Sequence, residues 1–169
     1  MESIGQQYLL LGRKLKGLNM GAKEGTILIS ETMRPISVND AYKNVPGKDR
    51  IKTGEYKRFK TDLEERLPKY KGMKDKFFKL IEGQQFILET VLKIYVPTER
   101  MYTKKGDINR NKGDCGNYRK CTQDIVFDWL GIDDKYSLNE KNLQIEDDQG
   151  VWGFSFEIIA RDRKGYLLA

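Results

Sequence analysis

Phe86-Ile-Leu-Glu-Thr-Val-Leu-Lys-Ile-Tyr-Val96 is the run on which the reading of the fold turns. Its β-branched and aromatic residues predict a strand long enough to cross a sheet, stopped by Pro97. Beyond it, Thr98 to Gly113 is polar and glycine-containing, a loop of unusual length for a compact domain. Asp114 then reads as the cap of a helix that runs to Leu130 and ends at Gly131. Further on, Leu143-Gln144-Ile145, a turn at Asp147 to Gly150 and Val151 to Ala160 read as a closing β-hairpin.

Working back from Phe86, Phe77, Phe78 and Ile81 fit a second short helix or an extension into the sheet. Thr53 is placed to cap a helix from Gly54 to Leu67, with Tyr56, Phe59, Leu63 and Leu67 as its apolar stripe and Pro68 as its stop. Arg34 to Lys52, with Pro35, Pro46 and Gly47, reads as basic loop, and Thr26 to Ser30 as the first strand. Residues 1–24 read as an amphipathic arm on Ile4, Tyr8, Leu11, Leu15 and Leu18. The expectation is an α+β fold over residues 25–169. A small mixed β-sheet packed by two main helices would carry a closing β-hairpin and an N-terminal helical arm.

Composition narrows the chemistry. The 169 residues contain no histidine, which removes imidazole bases and ligands, and with them Ser-His-Asp and Cys-His hydrolysis. Any catalysis must rest on carboxylates, lysines, tyrosines or an oxygen-bound metal. Cys115 and Cys121 are too few for a zinc site or a disulfide framework, which predicts a reducing cytoplasm. The first residues lack a basic leader region, and no apolar run approaches the ~18 residues of a membrane span. A soluble intracellular protein with no membrane partner is expected.

The net charge of +6 is segregated. Lys43 to Lys79 has thirteen basic and six acidic residues, and Glu99 to Lys120 has seven and three. Cys121 to Gly150 reverses the sign, with two basic against eight acidic residues. Basic stretches neutralise nucleic-acid phosphates, and carboxylates at a scissile phosphate need divalent cations to hold them there. The same runs also fit solvated faces that do no more than keep the chain soluble.

On the helix from Asp114, a turn of 100° per residue puts Asn117, Asp124 and Asp128 in one narrow wedge, with Lys120 beside it. Tyr118, Cys121, Ile125 and Trp129 form the neighbouring face, expected to pack on the sheet. Asp133 and Asp134 follow the helix end, and along a straight axis they would lie roughly 25–30 Å from Asp114. Sharing a metal would then require the chain to fold back, or a partner subunit. An ordinary exposed face, with Lys120 paired to Asp124, fits this pattern too.

The run Asp114-Cys-Gly-Asn117-Tyr-Arg-Lys120-Cys-Thr-Gln-Asp124, with Asp133-Asp134 downstream, resembles the signature of RusA-like Holliday junction resolvases. That signature is Asp-x-Asp-Asn-x-x-Lys, a further Asp four residues on, and an Asp-Asp pair about ten residues later. Pro35-Ile-Ser37-Val-Asn39-Asp-Ala-Tyr42 is similar to the family's Pro-Ser-x-Asn-x-x-Tyr element, and Thr53 to Lys57 to its helix start. The resemblance spans roughly residues 26–160.

It implies a Mg²⁺-dependent endonuclease, with Mn²⁺ as substitute, that nicks opposed strands of a four-way DNA junction as a homodimer. The setting implied is a bacterial cytoplasm, in phage- or prophage-encoded recombination and repair, with no small-molecule cofactor. Asp114, Lys120 and Asp134 take the catalytic positions; Asp114, Asp124, Asp133 and Asp134 the metal positions; Asn117 and Asp128 supporting ones. The expected DNA contacts are Asn39, Lys43, Lys48, Arg50, Lys52, Lys57, Arg110, Lys112 and Arg119. Gly116 departs from the signature by replacing its second Asp, leaving Asp124, Asp128 or Asp107 to substitute. Two other readings stand beside this one. One is a non-catalytic DNA-binding protein using the basic 43–79 and 99–120 stretches, and the other an interaction protein presenting the arm with Trp152, Phe154 and Phe156.

Overall fold

The computed structural model describes residues 25–109 and 114–168. The expected arm (1–24), Arg110, Lys112 and the side chain of Lys48 lie outside what is described. In order, the elements are β1 (Thr26–Glu31), α1 (Val38–Ala41), β2 (Tyr42–Val45), β3 (Lys48–Lys52) and α2 (Gly54–Arg66). They continue with α3 (Lys71–Ile81), β4 (Ile87–Pro97), α4 (Thr98–Met101), α5 (Cys115–Leu130), β5 (Ser137–Asp147) and β6 (Gly153–Arg161). The α+β class stands, with a mixed four-stranded sheet ordered β1-β6-β4-β5 and a separate β2–β3 hairpin.

The expected closing hairpin does not form. β5 and β6 lie on opposite sides of β4, β5 parallel to it and β6 antiparallel. A parallel neighbour requires a crossover, and α5 supplies it. Burial decides which strand goes inside: Phe154, Phe156, Ile158 and Ala160 of β6 are wholly buried, whereas most of β5 is exposed. β5 therefore takes the edge. The same burial corrects the reading in which Phe154 and Phe156 present a partner surface, because both are core.

Two local expectations also change. The basic segment before Thr53 is not plain loop, since it holds α1 and the β2–β3 hairpin, turned at Pro46 and Gly47 with φ 72° at the glycine. Pro68 does not end the helical run either. It enters the first turn of a 3-10 segment, Leu67–Tyr70, where its missing N–H costs nothing, and the chain goes on into α3. A third substantial helix thus joins the two expected. Among the described residues no helix is long and apolar enough to cross a membrane.

The core lies between the sheet and the helices. Tyr56, Phe59 and Leu63 of α2 meet Tyr118, Cys121, Ile125 and Phe127 of α5 over Ile27, Leu92 and Phe156. Trp129, expected inside, is only partly buried at its edge.

Candidate nucleic-acid interface

Asp114 caps α5, its carboxylate accepting from the N–H of Gly116 at 3.0 Å. Gly131, with φ 75°, closes the other end in the left-handed conformation that suits glycine. Between these caps, Lys120 and Asp124 form an ion pair of 3.5 Å on the accessible side of the helix, and Asp128 sits one turn on, 4.0 Å from Lys60 of α2. Asn117 is half-buried one turn before.

Within the segment from Pro35 to Tyr42, Val38–Ala41 packs against α5 and Tyr42 lies within reach of the Lys120 and Asp124 charges. Ser37 caps α1 by accepting from the N–H of Asp40 and also donates to its carboxylate at 2.8 Å. Thr53 donates to the Asp40 carbonyl at 2.7 Å while accepting from the N–H of Tyr56, so one hydroxyl ties α1 to the start of α2. Tyr42 rests against Tyr56 with ring centroids 5.7 Å apart. Burial raises the Tyr42 phenol above its ordinary value; Cys121 and Asp124 add to the rise and Lys120 opposes it. Tyr56 is pushed up to about 12, first by burial and then by neighbours that include Asp124 and Asp128. Cys121 rises to about 11 for the same leading reason. Tyr42 and Tyr56 were not among the expected site residues, although the tyrosine ending the Pro35–Tyr42 element was the available signal.

Around this junction Asn39, Lys43, Arg50, Lys52 and Lys57 are exposed, with the Lys52 ammonium 4.9 Å from the Tyr56 ring centre. They make a basic rim on α1, the β2–β3 hairpin and the first turn of α2. Arg119 does not belong to it. Although expected to contact DNA, it is buried and spends all five N–H groups internally. They go to Asn142 Oδ1 (2.5 Å), Thr90 Oγ1 (2.7 Å), Gln123 Oε1 (3.0 Å), Thr90 O (3.3 Å) and Lys141 O (2.5 Å). Its helical spacing from Cys115, Thr122 and Val126 was the sequence signal for the inner face.

The expected metal carboxylates are not brought together within one protomer. Asp133 caps the 3-10 turn that follows α5 and pairs with Lys135 at 2.9 Å, and Asp134 begins that turn, exposed. The Lys135 hydrogen bond leads the causes that hold Asp133 below the ordinary carboxylate value. Asp114 stands at the far end of the 16-residue helix, about 24 Å away along its axis. Asp124 lies between and is engaged with Lys120. Among the described residues no three His, Cys, Asp or Glu side chains group as a metal site. These four carboxylates therefore do not fit one divalent ion inside a single protomer. A Cβ at Gly116 would lie 3.7 Å from Asp114 Oδ1, an ordinary contact, so the backbone there accepts a side chain.

No protein-family model matches this chain, and no curated protein matches its sequence.

Proposed function

We propose that the protein is a structure-specific endonuclease of the RusA-like kind, resolving four-way DNA junctions in a bacterial cytoplasm as a Mg²⁺-dependent homodimer. The observation that carries this reading is the meeting of two motif segments about eighty residues apart. Val38–Ala41 packs against α5, Tyr42 at the end of the Pro35–Tyr42 element lies within reach of the Lys120 and Asp124 charges, and exposed cations stand on the adjoining β2–β3 hairpin and the first turn of α2.

The chemistry follows from the side chains. Asn39, Lys43, Arg50, Lys52 and Lys57 offer donors and charge to the phosphate backbone. Lys120 is 61% exposed, and its pair with Asp124 is loose enough to exchange for a phosphate oxygen. There its ammonium stabilises the charge that develops as the phosphodiester is attacked. Asp124 holds the free ammonium on the stripe, and Tyr42 walls the site off from the core. Asp114 and Asp134 are the carboxylates assigned to cleavage.

A second reading is favoured by one observation, the separation of Asp114 from Asp133 and Asp134. A protein with this basic rim and no completed carboxylate set would bind junctions without cutting them. A nicking assay on a synthetic four-way junction, with linear duplex as control and Mg²⁺ or EDTA, decides between the two. Paired nicks in Mg²⁺ that vanish in Lys120→Ala and Asp134→Asn while binding persists support the nuclease. Tight junction binding with no nicks under any divalent ion would leave the binding protein.

A further inference from the structure

A groove of about 820 Å³ opens beside the C-terminal end of α5. Clefts that take small ligands run to roughly 300–1,000 Å³. Three rings line this one: Phe78 from α3, Phe86 just before β4 and Tyr136 just before β5. Phe86 and Tyr136 stack with centroids 5.0 Å apart and planes 26° from parallel, yet Tyr136 remains 38% exposed. The charges of the lining cancel, since Lys79 and Lys135 stand with Glu82 and Asp133. A neutral, aromatic lining suits a flat uncharged ring better than a bare anion. Outside the groove the balance changes. α3 carries four lysines against one aspartate, and among the described residues the exposed Lys76 and Lys79 form no ion pair. Lys74 and Lys76 lie one turn before Phe78 and Lys79, and the Lys74 ammonium stands 5.9 Å from the Phe78 ring centre and 4.9 Å from that of Trp129.

We propose that this groove binds an unpaired nucleobase of single-stranded DNA, with Tyr136 stacking on the base and Lys76 and Lys79 meeting the flanking phosphates. Rings alternating with cations bind single strands in this way, because every base has a π face and every linkage a charge. The lysine row is what favours a nucleic acid over an apolar peptide, which the rings alone would also accept. The Lys135 ammonium lies 5.3 Å from the Tyr136 ring centre and pairs with Asp133, but that side chain is 65% exposed, and so weak a surface pair yields the ring to a base. The surface is separate from the basic rim on α1, the β2–β3 hairpin and α2, since Lys120 and Gly131 stand about 16 Å apart along the helix axis. Asp133 lines the groove and Asp134 follows it, so the unpaired nucleotide would lie beside carboxylates assigned to cleavage. That consequence rests on the nuclease reading above, whereas the base site stands on the groove itself.

The test is fluorescence anisotropy of a labelled oligothymidylate with the full chain, against an abasic strand and an oligouridylate of the same length. The wild type should bind the oligothymidylate more tightly than the abasic strand, which keeps the phosphates and lacks the bases. Tyr136→Leu, with circular dichroism unchanged, should weaken binding about tenfold, and Tyr136→Phe should restore it. Lys79→Ala, at an exposed position, should lower the slope of log affinity against log salt by about 0.7. Equal affinity for the abasic strand, or an affinity that Tyr136→Leu leaves unchanged, overturns the base site and gives the groove to a protein partner. Tighter binding of the oligouridylate would assign the strand to RNA and overturn the DNA proposal. Tyr136-dependent binding without any nicking of a junction upholds the groove and removes the nuclease. A chain that nicks junctions but does not hold the oligothymidylate leaves the nuclease and removes the groove.

Discussion

Arg119 and Lys120 are adjacent on one helix and carry the same charge, yet they do different work. Arg119 points between α5 and the β4–β5 pair, where every guanidinium N–H finds an oxygen. Lys120 points outward and holds one half-buried carboxylate at 3.5 Å. A rotation of 100° along the helix separates a group that anchors the crossover from one free to meet a ligand. Charge alone therefore says little about function, since accessibility and the number of satisfied donors decide it.

The largest effect expected from breaking this contrast is on stability at Arg119. Arg119→Ala removes five hydrogen bonds and strands the buried oxygens of Thr90 and the part-buried Lys141 carbonyl, which should cost about 3–5 kcal/mol in urea denaturation. Arg119→Lys should recover only a fraction, because one ammonium cannot replace a planar fork. If Arg119→Ala unfolded at the wild-type urea concentration, the anchoring role would be refuted. Lys120→Ala should do the opposite. Stability should move by less than about 0.5 kcal/mol, as for an exposed pair, while junction nicking falls by about 100-fold.

Gly116→Asp sharpens the comparison from the ligand side. The Cβ fits 3.7 Å from the Asp114 carboxylate, so the variant should fold, and it should raise Mg²⁺-dependent nicking several-fold in a single-turnover assay. Unchanged nicking would mean that the missing carboxylate is not what limits cleavage.

Acid should probe the inner network at Glu89, which lies across β4 from the Arg119 anchor. Lys141 and Arg161 hydrogen-bond its carboxylate and hold it below its ordinary value of 4.5. A folded value below the unfolded one gives stability that is present above pH 4.5 and lost as pH falls through the folded value. Glu89→Gln should flatten that acid limb in chemical denaturation followed from neutral to acidic pH.

The smallest effect belongs to the rim. Arg50→Ala should leave the fold intact and weaken binding to junction and duplex alike. It should lower the slope of log affinity against log salt by about 1.

What the sequence made legible was local. Asp114 and Gly131 were readable as the ends of α5 because a cap depends on a few neighbouring residues, and Thr53 was readable for the same reason. β4 was readable because its composition suits a buried strand. The pairing of β5 and β6 was not, because adjacency in the chain does not say which strand has both faces apolar enough to go inside. Pro68 misled in a similar way, since a proline that stops one helix also suits the first turn of the next. At the candidate site, the Lys120–Asp124 pair follows from spacing, whereas the burial of Arg119 depends on oxygens more than twenty residues away along the chain.

The sequence by itself determined the α+β class, the capped helix, the segregated charge and, through the absence of histidine, the limits on chemistry. These depend on composition and on spacing within one or two turns. Only the tertiary structure decided that β6 enters the sheet and β5 is left at its edge, that Arg119 is an anchor and that Tyr42 meets the Lys120 stripe. It also decided that the carboxylates stand at opposite ends of α5. Those outcomes depend on which surfaces compete for burial, and that competition is settled among segments far apart in the chain.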